Sequence, residues 1–582
     1  MVGKRNTFLL NKAIGNYLAA SVLTMIISQL NVTVDGIIVS NLIGPDALSA
    51  INLFMPINIV ITCIYTCFAM GATIRASKAI GRRDKEAERG ILSTAVFSVV
   101  CAGLLLAILG TAFDGSITAF VCREERLALY FEPYMHTMLL FSFVTILQML
   151  LVQIACIEGY PKIGTVSCVI SVSVNIVLDL LFVGVFGFGI TGSALASIIG
   201  YLIALVTVYY FLTKKHNCFK IRFSFSDIKE HFGKNALQGL PLMISNIIMM
   251  IMMFLLNNIV QSNLGADGMF VLSVCINVLS LGMMCSNGFG STAMAIGGNL
   301  YGQRDFEGLR MLLNRCLSYM LIVTLAATIL IEFFPASLAS LFGANTPGLK
   351  SMAVQGIRIF IVMLVPFCIT LTMLNVFQIV GHPVLTPVLA VLFPVILIPS
   401  TLIWTRCAGA ESLWYAFPET GFLLLLVLLV VTEAIRFWKR PKQLSFLTLV
   451  PADESGICLE LSIQATIAAV GNSLPEIRDF LNDNVKDEEF CNDVMLSTEE
   501  MMYNIAIHGD YRNESHFFDL RIMTYNDELT VVLKDDGKPF DPSTLTEDKK
   551  NLGLKIVTAF APKLEYKFMY GQNVTFMTWN IK

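Results

Sequence analysis

Long apolar stretches dominate the first three quarters of the chain. They recur at 10–40, 48–74, 91–113, 130–157, 162–186, 190–213, 234–263, 266–297, 312–342, 351–380, 384–406 and 412–438, parted by short polar segments. Each matches or exceeds the roughly 20 residues a helix needs to cross a bilayer. A bilayer core offers the backbone no partners, so a spanning segment is either a helix or a strand of a closed barrel. These runs are too long for barrel strands and predict twelve transmembrane helices. After Pro441 the pattern changes. Cys458–Ile463 alternates as a strand does, Leu474–Asn484 and Glu488–His508 have helical spacing, and Phe517–Thr524, Leu529–Asp535 and Val574–Asn580 read as strands. The expected fold is an all-α membrane protein of two six-helix repeats, 1–222 and 223–445, followed by a C-terminal α+β sandwich domain at 446–582. Phe219–Phe232 mixes Phe and Ile with Lys and Arg and reads as an interfacial helix joining the repeats.

The repeat is visible at a fixed offset of 221 residues. Gly44, Asp46, Gly81, Arg83 and Asp84 return as Gly265, Asp267, Gly302, Arg304 and Asp305, and one residue of slippage later Gly159-Tyr160-Pro161 returns as Gly381-His382-Pro383. The offset maps one inner loop onto another, so the halves are parallel copies. Secondary transporters are often built this way, with the substrate path between the halves.

Composition narrows the class. Of 582 residues 55% are hydrophobic and 14% charged, against about 25% charged in soluble domains. This excludes a disordered or collagenous chain and argues against a cytosolic enzyme. The net charge of −3 divides into −11 from residue 451 onward and +8 before it. With twelve spans and the N-terminus inside, 23 Lys and Arg fall in inner segments and four (Arg123, Arg126, Lys350, Arg406) in outer loops. The positive-inside rule then places both termini in the cytosol of a plasma-membrane protein. The 14 cysteines lack zinc-ligand spacing and read as small apolar packing residues. The first apolar run outlasts a signal-peptide core, and no nucleic-acid partner is expected.

Residues 5–440 resemble the MATE-type multidrug and toxin extrusion antiporters. The likeness is carried by Val34-Asp35-Gly36-Ile37-Ile38-Val39 with Gly44, by Gly81-Arg82-Arg83-Asp84 and by Glu158-Gly159-Tyr160-Pro161-Lys162. Asn175 with Asp179, Gly189-Ile190-Thr191-Gly192-Ser193-Ala194, and Trp414 before Pro418-Glu419 add to it. The resemblance implies H⁺- or Na⁺-coupled export of organic cations or drug-like small molecules across the plasma membrane, with membrane lipid as a further partner.

Ionisable residues inside spans are functional candidates by default. Asp35 lies towards the outer end of the first helix. Asp179 lies late in the fifth, four residues after Asn175 and on the same helix face. Ser197 in the sixth adds a hydroxyl. Two carboxyls, an amide and a hydroxyl suit a proton, or Na⁺ through oxygen ligands. The resemblance places the coupling cation on these three helices, as in the DNA-damage-inducible-type branch, because helices 7, 8 and 10 hold no acid in their cores. Gln29, Asn31, Asn52 and Asn58 are open between interhelical hydrogen bonding and ligand contact. The methionines at 243–253 and 283–284 are open between lipid-facing packing and a soft wall for apolar substrates.

The tail carries three boxes in order. Glu500, Asn504 and His508 share a helix face. Asp535-Asp536-Gly537-Lys538-Pro539-Phe540 follows a strand, and Asn551-Leu552-Gly553 opens a helix. Together they resemble the GHKL-type ATP-binding fold, nearest the anti-sigma-factor serine kinases. The resemblance implies ATP with Mg²⁺ as cofactors. Asn504 would hold Mg²⁺, Glu500 would be the general base, Asp535 would read the adenine amine, and Gly537 and Gly553 would let backbone approach the nucleotide. Asn551 stands where Gly is usual, and the segment between Phe540 and Gly553 is short for a lid. Turnover is therefore open while nucleotide binding is expected.

Three readings follow: an antiporter with a nucleotide-binding regulatory tail that docks a cytosolic protein, a membrane-tethered serine kinase or anti-sigma-like regulator, and a lipid-linked precursor flippase. A flippase would want a basic central cavity, and few Lys or Arg (Arg75, Arg358) lie within the spans. No Walker-type phosphate loop occurs, so an ion gradient and not ATP hydrolysis is the expected driving force.

Overall fold

The computed structural model describes the chain except residues 1, 5, 7, 45–46, 48–49, 52, 123–124, 216–219, 223, 343, 345, 439–443, 452–456, 510, 512–515, 526, 543–551 and 582. It forms two compact units. One is Leu18–Ala452; the other joins Met1–Tyr17 to Asp453–Lys582. The first residues, assigned to the membrane repeat from sequence, therefore sit in the tail unit.

The membrane unit follows the apolar pattern. Helix α1 is Phe8–Leu42, α2 is Met55–Gly81 and α3 is Lys85–Ala112. The fourth span, α4, is a pair, Arg126–Leu140 and Ser142–Ile157, bent by 53°. Next come α5 (Pro161–Val185), α6 (Gly189–Thr213) and α7 (Phe225–Gly265). Helix α8 (266–302) starts where Gly265 takes φ 62°, a left-handed value that favours glycine. Then follow α9 (Phe306–Phe333), α10 (Pro347–Ile361 and Leu364–Ile379, bent by 47°), α11 (Leu385–Ala408) and α12 (Ala410–Trp438). With each bent pair taken as one crossing, the described residues provide twelve spans. Exposed Leu105, Ile108, Ile322 and Leu330 belong to surfaces that face lipid. The linker helix expected at Phe219–Phe232 is not a separate element: α7 begins at Phe225 and runs unbroken into its span. Its charged first turns simply extend the helix below the apolar core.

The repeat holds at the level of backbone conformation. Arg83 and Arg304 both take positive φ, at 63° and 56°, as do Gly159 and Gly381 at 92° and 87°. Asp84 and Asp305 each cap the following helix, accepting from the amides of Ala87 and Gly308 at 2.9 Å. The two loops also meet. A Cβ at Gly81 would overlap the Asn299 carbonyl and crowd Gly302, and one at Gly302 would overlap the Lys78 carbonyl. Gly71 and Gly239 abut in the same way. The halves are thus pressed backbone to backbone along one seam, a distance only glycine allows.

In the tail unit, strands β1 (Val2–Lys4), β2 (Cys458–Gln464), β3 (Phe517–Tyr525), β4 (Glu528–Asp535), β5 (Lys563–Met569) and β6 (Gln572–Asn580) form one antiparallel sheet in the order β1-β2-β3-β4-β6-β5. Helices α13 (Ile467–Asn484), α14 (Glu488–His508) and α15 (Leu552–Phe560) complete it. Val470, Ile477, Val494, Met501 and Val557 from the helices interlock with Leu461, Phe518, Leu520, Val531 and Met577 from the strands. β1 and β5 are additions to the sequence expectation. β1 and β2 share a ladder although some 450 residues of chain lie between them.

Candidate functional site

Two sites emerge, one in each unit. In the membrane unit Asp35 on α1 faces Asp179 on α5 within interaction range. Asp179 and Asn175 are buried, at 0% and 2% exposure. Asn175 Nδ2 donates to Ser197 Oγ at 3.0 Å, which leaves its Oδ1 turned elsewhere. Asn175 Oδ1 is a buried acceptor with no hydrogen-bond donor among the described residues, and the buried Asp179 oxygens meet no fixed donor, only the Asp35 carboxyl and the shared Ser193 hydroxyl within range. Buried polar atoms are almost always paired, and two facing carboxyls need a cation or a proton between them. These buried oxygens therefore fit a cation. Ser193 Oγ donates to Asp35 Oδ1 at 3.1 Å, a partner absent from the sequence reading. Tyr134 and Tyr201 lie within electrostatic range of Asp35. Helix α5 changes to π-type geometry at Leu180, directly after Asp179; such bulges are frequent at functional sites. No group of three or more His, Cys, Asp or Glu side chains that could hold a metal ion occurs among the described residues.

A cavity of about 380 Å³ opens in the first half, and Tyr201 belongs to its wall. It is lined also by Asn31, Asn58, Gln148 and Cys168. Met25, Tyr65, Met149, Gln153 and Ser291 are shared with a second hollow of about 290 Å³ that reaches Asn287 and Asn375. No charged side chain lines either among the described residues. The methionines here are Met25, Met70, Met149 and Met294; those at 243–253 and 283–284 line neither hollow. The side chains of Gln29 and Asn52 lie outside the described residues.

In the tail unit, Asp535 ends β4 and is buried. Three donors converge on its Oδ1: Asn573 Nδ2 at 2.8 Å, the Gly537 amide at 2.8 Å and the Tyr511 hydroxyl at 3.3 Å. Burial holds the Asp535 carboxyl above its ordinary value, while the Asn573, Gly537 and Tyr511 hydrogen bonds pull against it. Burial and the two neighbouring carboxylates push the Tyr511 phenol up, so it stays a donor. Asn573 also accepts from the Tyr566 hydroxyl at 2.7 Å. Of these partners only Gly537 carried a sequence signal; Asn573 lies on a strand outside every box. A Cβ at Gly537 would come within 2.8 Å of the Gly509 carbonyl, so this glycine is required by backbone packing alone. Glu500 and Asn504 lie one turn apart on α14, both half-buried, and Asn504 Nδ2 is a buried donor with no partner among the described residues. Gly553 is the second residue of α15; Asn551 and most of the segment after Phe540 fall outside the described residues. The unpartnered Asn504 Nδ2 is a donor that fits a phosphate oxygen, while a Mg²⁺ ion would take Asn504 Oδ1.

Twelve helices in two parallel halves, with the Asp35 and Asp179 pair in one half, are joined to an appended α+β domain. The chain belongs to the MatE family, whose model matches residues 20–181 and 241–403, and residues 463–579 match the histidine kinase-like ATPase domain. Among relatives, the "Multidrug export protein MepA" of Staphylococcus aureus (strain bovine RF122 / ET3-1) is 26% identical over 204 residues, 35% of this chain and 45% of that protein. Its namesake in Staphylococcus haemolyticus (strain JCSC1435) is 28% identical over 168 residues, 29% of this chain and 37% of that one. The chain thus spans less than half the length of these relatives. Among solved structures, a MOP superfamily transporter from Pyrococcus furiosus Vc1 (DSM3638) superposes with TM-score 0.68 at 22% identity, covering 74% of this chain and 96% of that one. An outward-facing multidrug resistance MATE family transporter superposes with TM-score 0.67, also at 22% identity, over 71% of this chain and 93% of that one. At these identities the likeness shows the fold.

Proposed function

We propose that this protein is a cation-coupled antiporter that exports organic, drug-like molecules across the plasma membrane, with both termini cytosolic and a nucleotide-binding tail as its regulatory domain. The observation that carries the reading is the set of buried oxygens on Asp179 and Asn175, set against Asp35. A wall residue of the cavity, Tyr201, lies within electrostatic range of Asp35. Ion binding and substrate binding then share a helix bundle, which is what exchange requires: each occupant changes the free energy of the other. The names of the relatives point the same way. The uncharged cavity wall weighs against a flippase, because a pyrophosphate buried without cationic partners is costly.

In the tail, Asp535 would accept the exocyclic amine of adenine through Oδ2, since Oδ1 is already occupied. Asn504 would complete the oxygen shell of Mg²⁺, the α15 N-terminus would meet phosphate, and Glu500 would orient water or a Ser hydroxyl. ATP bound this way supplies charge and a phosphoryl group, and it serves regulation on this reading. A cytosolic partner protein docking there is part of the proposal.

The test is uptake of a fluorescent drug into proteoliposomes under imposed pH or Na⁺ gradients, with and without MgATP. Uptake that follows one gradient and is lost in Asp179→Asn supports the reading. Uptake that ignores both gradients and requires ATP refutes it.

A further inference from the structure

We propose that residues 2–17 form a latch that ties nucleotide occupancy of the tail to helix α1, the helix that carries Asp35. The proposal rests on the nucleotide reading above. Its parts are all within the tail unit. β1 adds to the sheet edge with Val2 opposite Ile463 and Lys4 opposite Leu461. The Asn6 amide donates to Ser462 Oγ at 2.8 Å, and the amide of Phe8 donates to Asn6 Oδ1 at 3.0 Å at the start of α1. Further along α1, Gln572 Nε2 donates to the Leu9 carbonyl at 2.5 Å, and the Tyr17 ring stands 5.9 Å from Tyr570. The opening turns of α1 are thereby fixed to β2 and to the β5–β6 turn.

The informative contact is Lys12. Its Nζ lies 2.5 Å from Asp536 Oδ2, and the Asp536 side chain is wholly buried. Asp536 also binds His516 Nδ1 through both oxygens, at 3.0 and 3.1 Å. Asp536 is the neighbour of Asp535. A second route links the same residues, because the His516 ring lies 4.9 Å from the Tyr511 ring, whose hydroxyl donates to Asp535 Oδ1. The proposed adenine reader is therefore joined to α1 twice, through the Asp535-Asp536 backbone and through Tyr511 and His516. A buried carboxylate that loses its ammonium partner is strongly destabilised, so releasing Lys12 would disturb the turn that presents Asp535.

Nucleotide binding orders this turn, and an ordered turn holds Lys12 better. By reciprocity, the docked latch must then raise nucleotide affinity by the same factor by which nucleotide raises docking. The latched residues open the same helix, Phe8–Leu42, that carries Asp35.

The test uses the full-length protein in lipid nanodiscs with MgATP as the probe. Calorimetry should give a Kd weakened about tenfold in Lys12→Ala, with Lys12→Arg close to wild type. Hydrogen exchange of the Gly3 and Lys4 amides should slow when MgATP is added to wild type and should no longer respond in Lys12→Ala. Unchanged affinity in Lys12→Ala, or β1 exchange indifferent to MgATP in wild type, overturns the latch while leaving the nucleotide site intact. A wild-type protein that binds no MgATP removes the nucleotide reading and the latch with it.

Discussion

Replacing Asn573 by Ala removes the side chain that ties Asp535 to the turn after it. Asn573 donates to Asp535 Oδ1 at 2.8 Å, reaches the carbonyls of Gly537 and Lys538 at 3.3 and 3.2 Å, and accepts from Tyr566 at 2.7 Å. A hydrogen bond to a charged group contributes about 1.5–3 kcal/mol. That bond favours the ionised form, so losing it should raise the Asp535 carboxyl further above its ordinary value. The native carboxyl already sits above its ordinary 3.8 because of burial. Protonation would go to Oδ2, the oxygen that lacks these donors, and would turn the acceptor for the adenine amine into a donor, so MgATP affinity should fall as pH falls through this raised value. In Asn573→Ala the fall should begin at higher pH. In the nucleotide-free protein the sign reverses. A raised folded value means Asp535 contributes stability fully below the unfolded pKa, and that contribution is lost as pH rises through the folded one. Calorimetric MgATP titrations of the full-length protein across roughly pH 4–8 read the midpoint directly. A folded Asn573→Ala protein with the wild-type midpoint and affinity would refute the assignment of Asn573 as the group that keeps this carboxylate ionised.

Asp179→Asn should abolish gradient-driven uptake at normal membrane abundance, because its two buried oxygens meet no fixed donor among the described residues; wild-type counterflow in that variant would rule out a coupling role. Gly81→Val pushes a side chain into Asn299 and Gly302. It should lower stability by about 1–3 kcal/mol, read by thermal unfolding in micelles, and reduce transport. Gln153→Glu brings a charge to both hollows. It should favour permanent organic cations over neutral analogues of the same shape in whole-cell accumulation assays; equal selectivity would show that substrates take another path.

The architecture was legible because lipid imposes so strict a pattern: a run of apolar residues that cannot be a barrel strand has one structural outcome. The repeat was legible for a local reason. Gly81 and Gly302 are held by close backbone contact, and Asp84 and Asp305 by helix capping, so both copies kept the same letters. The i, i+4 spacing put Asn175 and Asp179 on one face, but it gave no hint of Ser193, one serine among several in a small-residue stretch. Asn573 and Tyr511 were invisible because their role depends on which strands become neighbours. β1 escaped notice because three residues beside a long apolar run show no period. The reason for Gly537 was also hidden: the sequence shows an Asp-Gly turn, while its proximity to Gly509 arises only when α14 and β4 pack together.

The ladder between β1 and β2 has a consequence for biosynthesis. Val2 pairs with Ile463, so the two edges of that ladder leave the ribosome some 460 residues apart. At typical elongation rates that interval is roughly 20–90 s. Throughout it the long apolar helices are being made while β1 waits unpaired. When β2 and β3 emerge, the edge of the nascent sheet stays open until β1 returns, and an open edge invites pairing with foreign strands. The sheet is therefore closed at that edge by the first residues made, and it stays one strand short until they come back to it.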